Sequence, residues 1–214
     1  MYENIVNALK NNNIDCKVAK DRKEALSLVK DMLFKGAVIA NGGSVSVIEA
    51  GILDLVKNGD YEYVDRNKPG ITPKEQLEVY MKTHGADFYF CSTNALTESG
   101  ELINVDGFSN RISSILFGPK KVIMIVGKNK IVKDVKEGFL RIKKTAAPLN
   151  CERLGIDSPC RKLGHCISLQ KSDNPDITDG CDIDRRICRN YLVSAKQMVK
   201  DRICVVLVDE NLGY

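Results

Sequence analysis

The stretch that decides the fold is residues 87–127, which read DFYFCSTNALTESGELINVDGFSNRISSILFGPKKVIMIVG. Apolar segments begin and end it, at 87–92 and 121–127, and such runs are typical of strands buried on both faces of a parallel sheet. Between them lie two polar loops and a helix, whose N-cap we place near Asp106 or Ser109. The unit therefore predicts strand, loops, helix and strand, an order typical of α/β proteins.

The chain on both sides of this unit continues to alternate short apolar strands with helices. The predicted strands cover 14–19, 36–40, 61–65 and 202–210, and the predicted helices cover 2–11, 21–33, 44–56 and 73–85. A further helix follows residue 127 and should stop near Pro148. We therefore expect one α/β domain over residues 1–214, with a parallel or mixed sheet flanked by helices. Residues 149–190, rich in cysteine and poor in periodicity, form an excursion before the final strand.

The composition is that of an ordinary globular protein, with 43% apolar and 28% charged residues among 214. The net charge of +4 comes from 32 basic and 28 acidic residues that are interspersed, so neither nucleic acid nor a membrane surface is expected as a partner. No run of 18 apolar residues occurs, and the first residues lack the features of a signal peptide. We expect a cytoplasmic protein.

Polar side chains and glycines are concentrated between the two buried strands of the 87–127 unit. Glycines at 100 and 107 allow tight turns and close backbone approach, so this part of the chain can fold around a small ligand. The alternative is a β-turn at 98–100 followed by a helix N-cap, with no ligand. The candidate ligand-binding residues are Asn94, Thr97, Asn104, Asp106, Gly107, Asn110 and Arg111.

A glycine turn, NGGSVSVIE at 41–49, lies after a predicted strand and before a predicted helix. Free backbone N–H groups and the helix dipole at such a turn favour an anion, which would make Gly42, Gly43 and Ser44 ligand-binding residues. The turn matches neither a P-loop nor a dinucleotide fingerprint. The alternative is that the glycines only make the turn and Ser44 only caps the helix.

The segment ADFYFCSTNALTESGELINVDGFSNRISSILFGPKKVIMIVGKNKIV resembles the signature of the lactate-utilisation (LUD) domain family, and in particular its C-type members. The resemblance continues in NGGSVSVIEAGILDLV, where the family has a glutamate matching Glu49, and in AAPLNCERLG, SPCRKLGHC, CDIDRRIC and RICVVLVDENLGY. It implies an α/β fold similar to the glucosamine-phosphate isomerase, ribose-phosphate isomerase and CoA-transferase group. It also implies a ligand pocket at the carboxyl ends of parallel strands, and a link to oxidation of lactate within multi-protein assemblies.

Two carboxylates in the 94–111 loops are candidates for catalysis. Glu98 and Asp106 lie eight residues apart, and either could act as a general base. The likeness to CoA-transferases implies a second role for Glu98, as a nucleophile that forms an acyl intermediate. Arg111 has the planar fork that suits a carboxylate or phosphate. The alternative is a hydrogen-bond network in which Arg111 pairs with Asp106 and stabilises the loops.

Five of the eight cysteines fall within residues 151–188. The spacing Cys160-x5-Cys166 and Cys181-x6-Cys188 is not that of a zinc ribbon, but four thiolates on a loop-rich segment can hold an iron–sulfur cluster or another metal. Relatives run C-x5-C-x2-C-x6-C, so this chain carries an insertion, SLQKSDNPDITD, before the third cysteine. Cys151 is a substitute ligand. Free buried thiols and a disulfide or redox switch are the alternatives.

These observations favour an accessory or redox component in the oxidation of lactate or a related 2-hydroxy acid. Its expected partners are a small anionic metabolite, iron–sulfur electron-transfer proteins and a second copy of the chain. One rival is a stand-alone enzyme, similar to CoA-transferases or sugar-phosphate isomerases, that uses Glu98 or Asp106. Another is a non-catalytic regulator that binds a metabolite.

Overall fold

The computed structural model describes residues 2–214 and contains two β-sheets. The strands are β1 Asp15–Ala19, β2 Val38–Asn41, β3 Glu62–Val64, β4 Phe88–Cys91, β5 Ala95–Thr97, β6 Leu102–Asp106, β7 Lys121–Gly127, β8 Ile131–Val132, β9 Asn190–Ser194 and β10 Ile203–Val208. The main sheet is parallel throughout, in the order β1-β10-β7-β4-β2-β3. The second sheet, in the order β8-β5-β6-β9, is mixed.

Nine α-helices occur within the described residues. They are α1 Glu3–Asn11, α2 Arg22–Met32, α3 Val45–Glu49, α4 Ile52–Asn58, α5 Pro73–Thr83, α6 Asn110–Leu116, α7 Val135–Arg141, α8 Ala147–Arg153 and α9 Pro159–Leu163. A mostly parallel sheet flanked by helices confirms the predicted fold class. The second sheet was not predicted, because its strands have two to five residues and lie in segments taken for loops. Within residues 2–214, no helix combines the length and apolar character needed to cross a membrane.

The centre of the main sheet is buried on both faces, as the unbroken apolar runs of β7 and β10 require. On one face Ile123 packs in the same cluster as Val29 of α2. On the other face Met124 packs with Leu96 and Leu102 of the second sheet. The outer face of the second sheet packs in turn against α7. The fold therefore has four layers: helices, main sheet, second sheet and helices.

The helix that we expected to stop near Pro148 runs through it to Arg153. A π-helical turn, Ile142–Ala146, joins α7 to α8 directly before the proline. Proline inside an α-helix lacks an N–H group and crowds the carbonyl four residues earlier. A π turn widens that spacing, so the chain continues as a helix beyond Pro148. The prediction was wrong because it treated the proline as a terminator.

Candidate functional site

A cavity of about 500 Å³ lies at the carboxyl ends of the parallel strands. Its wall includes residues that come within three positions of the ends of four neighbouring strands: Gly43 after β2, Arg66 after β3, Ser92 after β4 and Lys130 after β7. The strand order reverses here, because β3 and β4 lie on opposite sides of β2. Open α/β sheets bind ligands at such a switch point. We call this space the basic cavity.

The basic cavity brings together the glycine turn and the 94–111 loops, although the two lie about fifty residues apart in sequence. The predicted ligand residues in its wall are Gly43, Ser44, Asn94, Asp106, Gly107, Asn110 and Arg111. The other predicted site residues, which do not line it, are Gly42, Glu49, Thr97, Glu98 and Asn104. The ligand-binding roles of both groups stay predictions.

Gly42 lies behind the cavity wall, where it allows close packing. A Cβ atom at this position would lie 2.7 Å from the Tyr89 hydroxyl and 3.2 Å from Cδ of Arg111. A Cβ at Gly43 would meet nothing closer than the Arg153 guanidinium, at 3.4 Å. Ser44 caps α3, since its hydroxyl accepts from the N–H of Val47 at 3.4 Å.

The difference between the two glycines gives a test of this packing. Gly42→Ala should lower the free energy of unfolding by about 1–3 kcal/mol, because the added methyl group displaces Tyr89 or Arg111. Gly43→Ala is the matched control and should change it by less than about 0.5 kcal/mol. Urea unfolding of the two variants measures both. If both variants lost the same free energy of unfolding, the close packing at Gly42 would make no contribution to stability.

Arg111 connects the loop after β4 to strand β6. Its guanidinium donates to the carbonyl oxygens of Ser92, at 2.9 Å, and Val105, at 2.8 Å. It also donates to the side-chain oxygens of Asn94, at 3.0 Å, and Asn104, at 2.5 Å. Asn104 is fully buried, so this bond satisfies a carbonyl oxygen that water does not reach. Arg111 therefore has a structural role in addition to its place in the cavity wall.

Asp106 also has a structural role, because its carboxylate accepts hydrogen bonds from backbone N–H groups at the start of α6. Its Oδ1 accepts from the N–H groups of Phe108 and Ser109, both at 3.0 Å. Its Oδ2 accepts from the N–H groups of Arg111, at 3.1 Å, and Ile112, at 3.3 Å. Four backbone donors occupy the lone pairs that a general base would need. The expected pairing with Arg111 is loose, since Nε and Oδ2 are 4.0 Å apart.

Three residues that the sequence predicted to belong to the site, Glu98, Thr97 and Glu49, lie outside the wall of the basic cavity. Glu98 is exposed on the turn between β5 and β6, so the structure does not bring it to Asp106, and its catalytic role stays a prediction. The Thr97 hydroxyl is hydrogen-bonded to the Glu101 carboxylate. The Glu49 carboxylate accepts from the N–H of Gly213 at 2.7 Å, next to Tyr214 of the cavity wall.

The charge of the cavity was not foreseen from the sequence. Seven basic residues line it against one carboxylate, that of Asp106. Apart from the loose contact of Arg111, none of them forms an ion pair with any carboxylate in residues 2–214. The signal that could have been used is RRICR at 185–189, which supplies three of the arginines. The seven are Arg66, Arg111, Lys130, Arg153, Arg185, Arg186 and Arg189.

Lys130 is the most buried of these cations, with 2% of its surface exposed. Its Nζ lies 2.9 Å from Oγ of Ser46 and 3.0 Å from Oγ of Ser92. Burial, followed by the charges of Arg141 and Arg111, lowers the pKa of Lys130 to about 7. A substantial fraction of this amine is therefore neutral at neutral pH.

A second, small cavity of about 30 Å³ lies beside the first, and we call it the thiol cavity. All eight cysteines are free, and the wall of this cavity contains five of them: Cys151, Cys160, Cys166, Cys181 and Cys188. The set comprises the four predicted metal ligands and the substitute. Within residues 2–214, no three potential ligands are close enough to hold a single metal ion.

The thiols differ in acidity. Cys160 is hydrogen-bonded to Cys151, with the two Sγ atoms 3.7 Å apart, and to Ser158, and these two contacts lower the pKa of Cys160. Burial raises the pKa of Cys188 to about 12. Cys160 therefore has the greater thiolate character of these two, and thiolates are the form that binds metals.

The two cavities share a wall made by Ala147, Arg186 and Ile187. The Arg186 guanidinium donates to the carbonyl oxygens of Cys188, at 2.8 Å, and Cys181, at 3.2 Å. A positive charge is thereby fixed on the backbone that carries two of the five thiols. The same segment also presents Arg185 and Arg189 to the basic cavity.

Together, the two sheets and the strand-end cavity define an α/β protein with a basic cavity beside a cluster of thiols. The sequence model of the LUD domain matches residues 2–208. The chain therefore belongs to the LUD domain family, which confirms the resemblance seen in the sequence. No curated protein matches it.

The solved structures that are similar to this chain include the following two. One is the crystal structure, at 1.70 Å resolution, of a DUF162 family protein from Deinococcus radiodurans. It is 13% identical, with a TM-score of 0.49, and the match covers 96% of this chain and 93% of that one. The other is ribose 5-phosphate isomerase A from Methanocaldococcus jannaschii, 16% identical, with a TM-score of 0.33 and 55% of each chain covered.

Proposed function

We propose that this protein binds an organic anion with more than one negative charge in the basic cavity, as a component in the oxidation of lactate or a related 2-hydroxy acid. The observation that carries the proposal is the set of cations without carboxylate partners around one cavity. Cations placed together repel one another, and an anion between them removes that repulsion. Membership of the LUD domain family supports the link to lactate.

The size of the cavity supports a ligand larger than lactate itself. A volume of about 500 Å³ falls in the range of sites for drug-sized ligands and cofactors, whereas lactate has only six heavy atoms. Arginine binds phosphate and carboxylate through paired N–H bonds, and several of the cavity arginines are carried on one short segment. A phosphate-bearing metabolite or cofactor therefore fits better than a monocarboxylate.

Calorimetric titration with inorganic pyrophosphate tests this proposal. Pyrophosphate should bind at least about tenfold more tightly than lactate, and its affinity should fall at high salt because exposed charges are screened. Arg185→Ala should weaken binding about tenfold. Among residues 2–214 this guanidinium has no ion-pair partner, so its loss should leave the fold intact.

Arg22→Ala is the matched control for that titration. Arg22 is also exposed, but it pairs with Glu210 at 2.8 Å and does not line the basic cavity. Its removal should leave the affinity for pyrophosphate within about twofold of the parent value. Failure of the parent protein to bind pyrophosphate at low salt, or equal effects of the two variants, would contradict the proposal.

We also propose that the thiol cavity holds an iron–sulfur cluster or another thiolate-bound metal. The donor chemistry fits, because iron–sulfur clusters are held by cysteine thiolates and five thiols line one cavity. The thiols would have to move closer together on binding, since no three ligands in residues 2–214 are close enough to share a metal ion. The residues that would hold it are Cys160, Cys166, Cys181 and Cys188, with Cys151 beside Cys160. A bound cluster supplies one-electron transfer, so iron–sulfur electron-transfer proteins are the partners that this proposal implies.

A further inference from the structure

The contacts of Lys130 suit a neutral amine better than an ammonium ion. The Ser46 hydroxyl donates to the carbonyl oxygen of Leu212 at 3.0 Å, and the Ser92 hydroxyl donates to that of Ile125 at 2.6 Å. Both serine oxygens therefore act as acceptors towards Nζ. A neutral amine has two N–H bonds and one lone pair, so the two serines use both N–H bonds and leave the lone pair free.

An ammonium ion in this place would lack both a third acceptor and a counter-ion. Within residues 2–214, Nζ has hydrogen bonds only to the two serines and no ion pair. The charges around it are Arg141 and Arg111, which disfavour the ammonium form, and Glu49, which favours it more weakly. A buried amine beside other cations is the environment in which lysine becomes a nucleophile.

We propose that Lys130 forms a reversible imine with a carbonyl compound that carries an anionic group, the class of the 2-oxo acids. The Nζ lone pair forms the bond to the carbonyl carbon, and the C=O bond gives way to C=N. The carbonyl oxygen leaves as water with the two amine protons, so no oxidant or reductant is needed. The inference rests on the proposed function, since the basic cavity must hold the anionic group, and oxidation of a 2-hydroxy acid yields a 2-oxo acid.

Reductive trapping tests the inference on the unmodified protein. The protein is incubated with pyruvate and sodium cyanoborohydride, and the modified lysine is located by peptide mass spectrometry. At pH 7, Lys130 should react at least about tenfold faster than the average exposed lysine, whose amine is almost wholly protonated. Its rate should rise with pH to a plateau, with a midpoint near the Lys130 pKa of about 7. Exposed lysines should continue to gain rate up to about pH 10.

Two variants and a competitor complete the experiment. Lys130→Met removes the amine and should abolish the adduct, whereas Lys128→Met should retain it, because Lys128 is exposed and pairs with Asp209 at 3.0 Å. Pyrophosphate should slow trapping. Adducts on exposed lysines alone, with pyrophosphate still binding by calorimetry, would overturn the inference and leave the anion proposal intact. If Lys130 is trapped although pyrophosphate neither binds to the protein nor slows the trapping, imine formation at Lys130 would stand, and the anion proposal would be overturned together with the role given to the basic cavity.

Discussion

Replacing Arg111 with methionine is expected to lower the free energy of unfolding by about 3–5 kcal/mol, because several buried oxygens lose their hydrogen-bond donor. The side chain is only 13% exposed, and it donates to four oxygens, two after β4 (Ser92 and Asn94) and two on β6 (Asn104 and Val105). Methionine fills similar space but removes the donor to buried acceptors such as the Ser92 carbonyl and the Asn104 side-chain oxygen. Each unsatisfied buried group costs about 1–3 kcal/mol. Urea unfolding followed by circular dichroism measures the loss.

Two comparisons separate the structural role of Arg111 from direct ligand binding. Arg111→Lys keeps the positive charge but loses the planar guanidinium with its several donors. It should lower the free energy of unfolding by roughly half as much as Arg111→Met. Arg22→Met removes an exposed ion pair and should cost less than about 1 kcal/mol. If Arg111→Met kept its stability and lost only pyrophosphate binding, the network would be incidental and Arg111 would act on the ligand directly.

The parts of the fold that the sequence predicts well are those whose structure depends on nearby residues. β7 reads KVIMIVG, and an unbroken apolar run of that length is stable only between two covering layers. Thr72 and Glu75 form a reciprocal capping box before α5, with Pro73 in its first turn. Such signals lie within a few residues of one another, so they can be recognised without knowledge of the rest of the chain.

The second sheet could not be predicted, because its burial depends on distant partners. Asn104 is an unfavourable residue for a buried strand, and it is tolerated in β6 because Arg111, on another element, donates to it. α7 packs on β6 only because Gly138 leaves room for the side chain of Ile103. Neither contact can be recognised from local propensity.

Part of the candidate site was hidden for the same reason. In the sequence, Lys130 stands in the polar segment KNK and looks like an exposed lysine. Its burial follows from Ser46 and Ser92, which lie 84 and 38 residues away. The thiols, in contrast, could be recognised from the sequence. Five cysteines fall within residues 151–188, and the structure places all five in the wall of one cavity. The prediction from their spacing, however, named Cys151 only as a substitute and not among the four favoured ligands.

Protein purified without oxygen is expected to contain iron and inorganic sulfide and to absorb visible light. Serine at any one of the four proposed ligands should lower the iron per chain at least about tenfold, because a cluster needs four thiolates. These variants are Cys160→Ser, Cys166→Ser, Cys181→Ser and Cys188→Ser. Cys151→Ser should keep most of the iron, since Cys151 is hydrogen-bonded to Cys160 and is not one of the four proposed ligands. Cys16→Ser is the control, because Cys16 lies on β1, outside the thiol cavity.

Metal bound in the thiol cavity should also strengthen pyrophosphate binding in the basic cavity. Residues 171–189 contain no helix or strand, yet they carry two of the proposed ligands together with Arg185, Arg186 and Arg189. A metal bound by their cysteines would fix this segment, since metal binding contributes directly to folding free energy. Cys188→Ser should therefore bind pyrophosphate about tenfold more weakly and be cut faster by trypsin within 171–189. Parent protein that is free of metal after anaerobic purification, yet resists trypsin and binds pyrophosphate fully, would show that packing alone orders the segment.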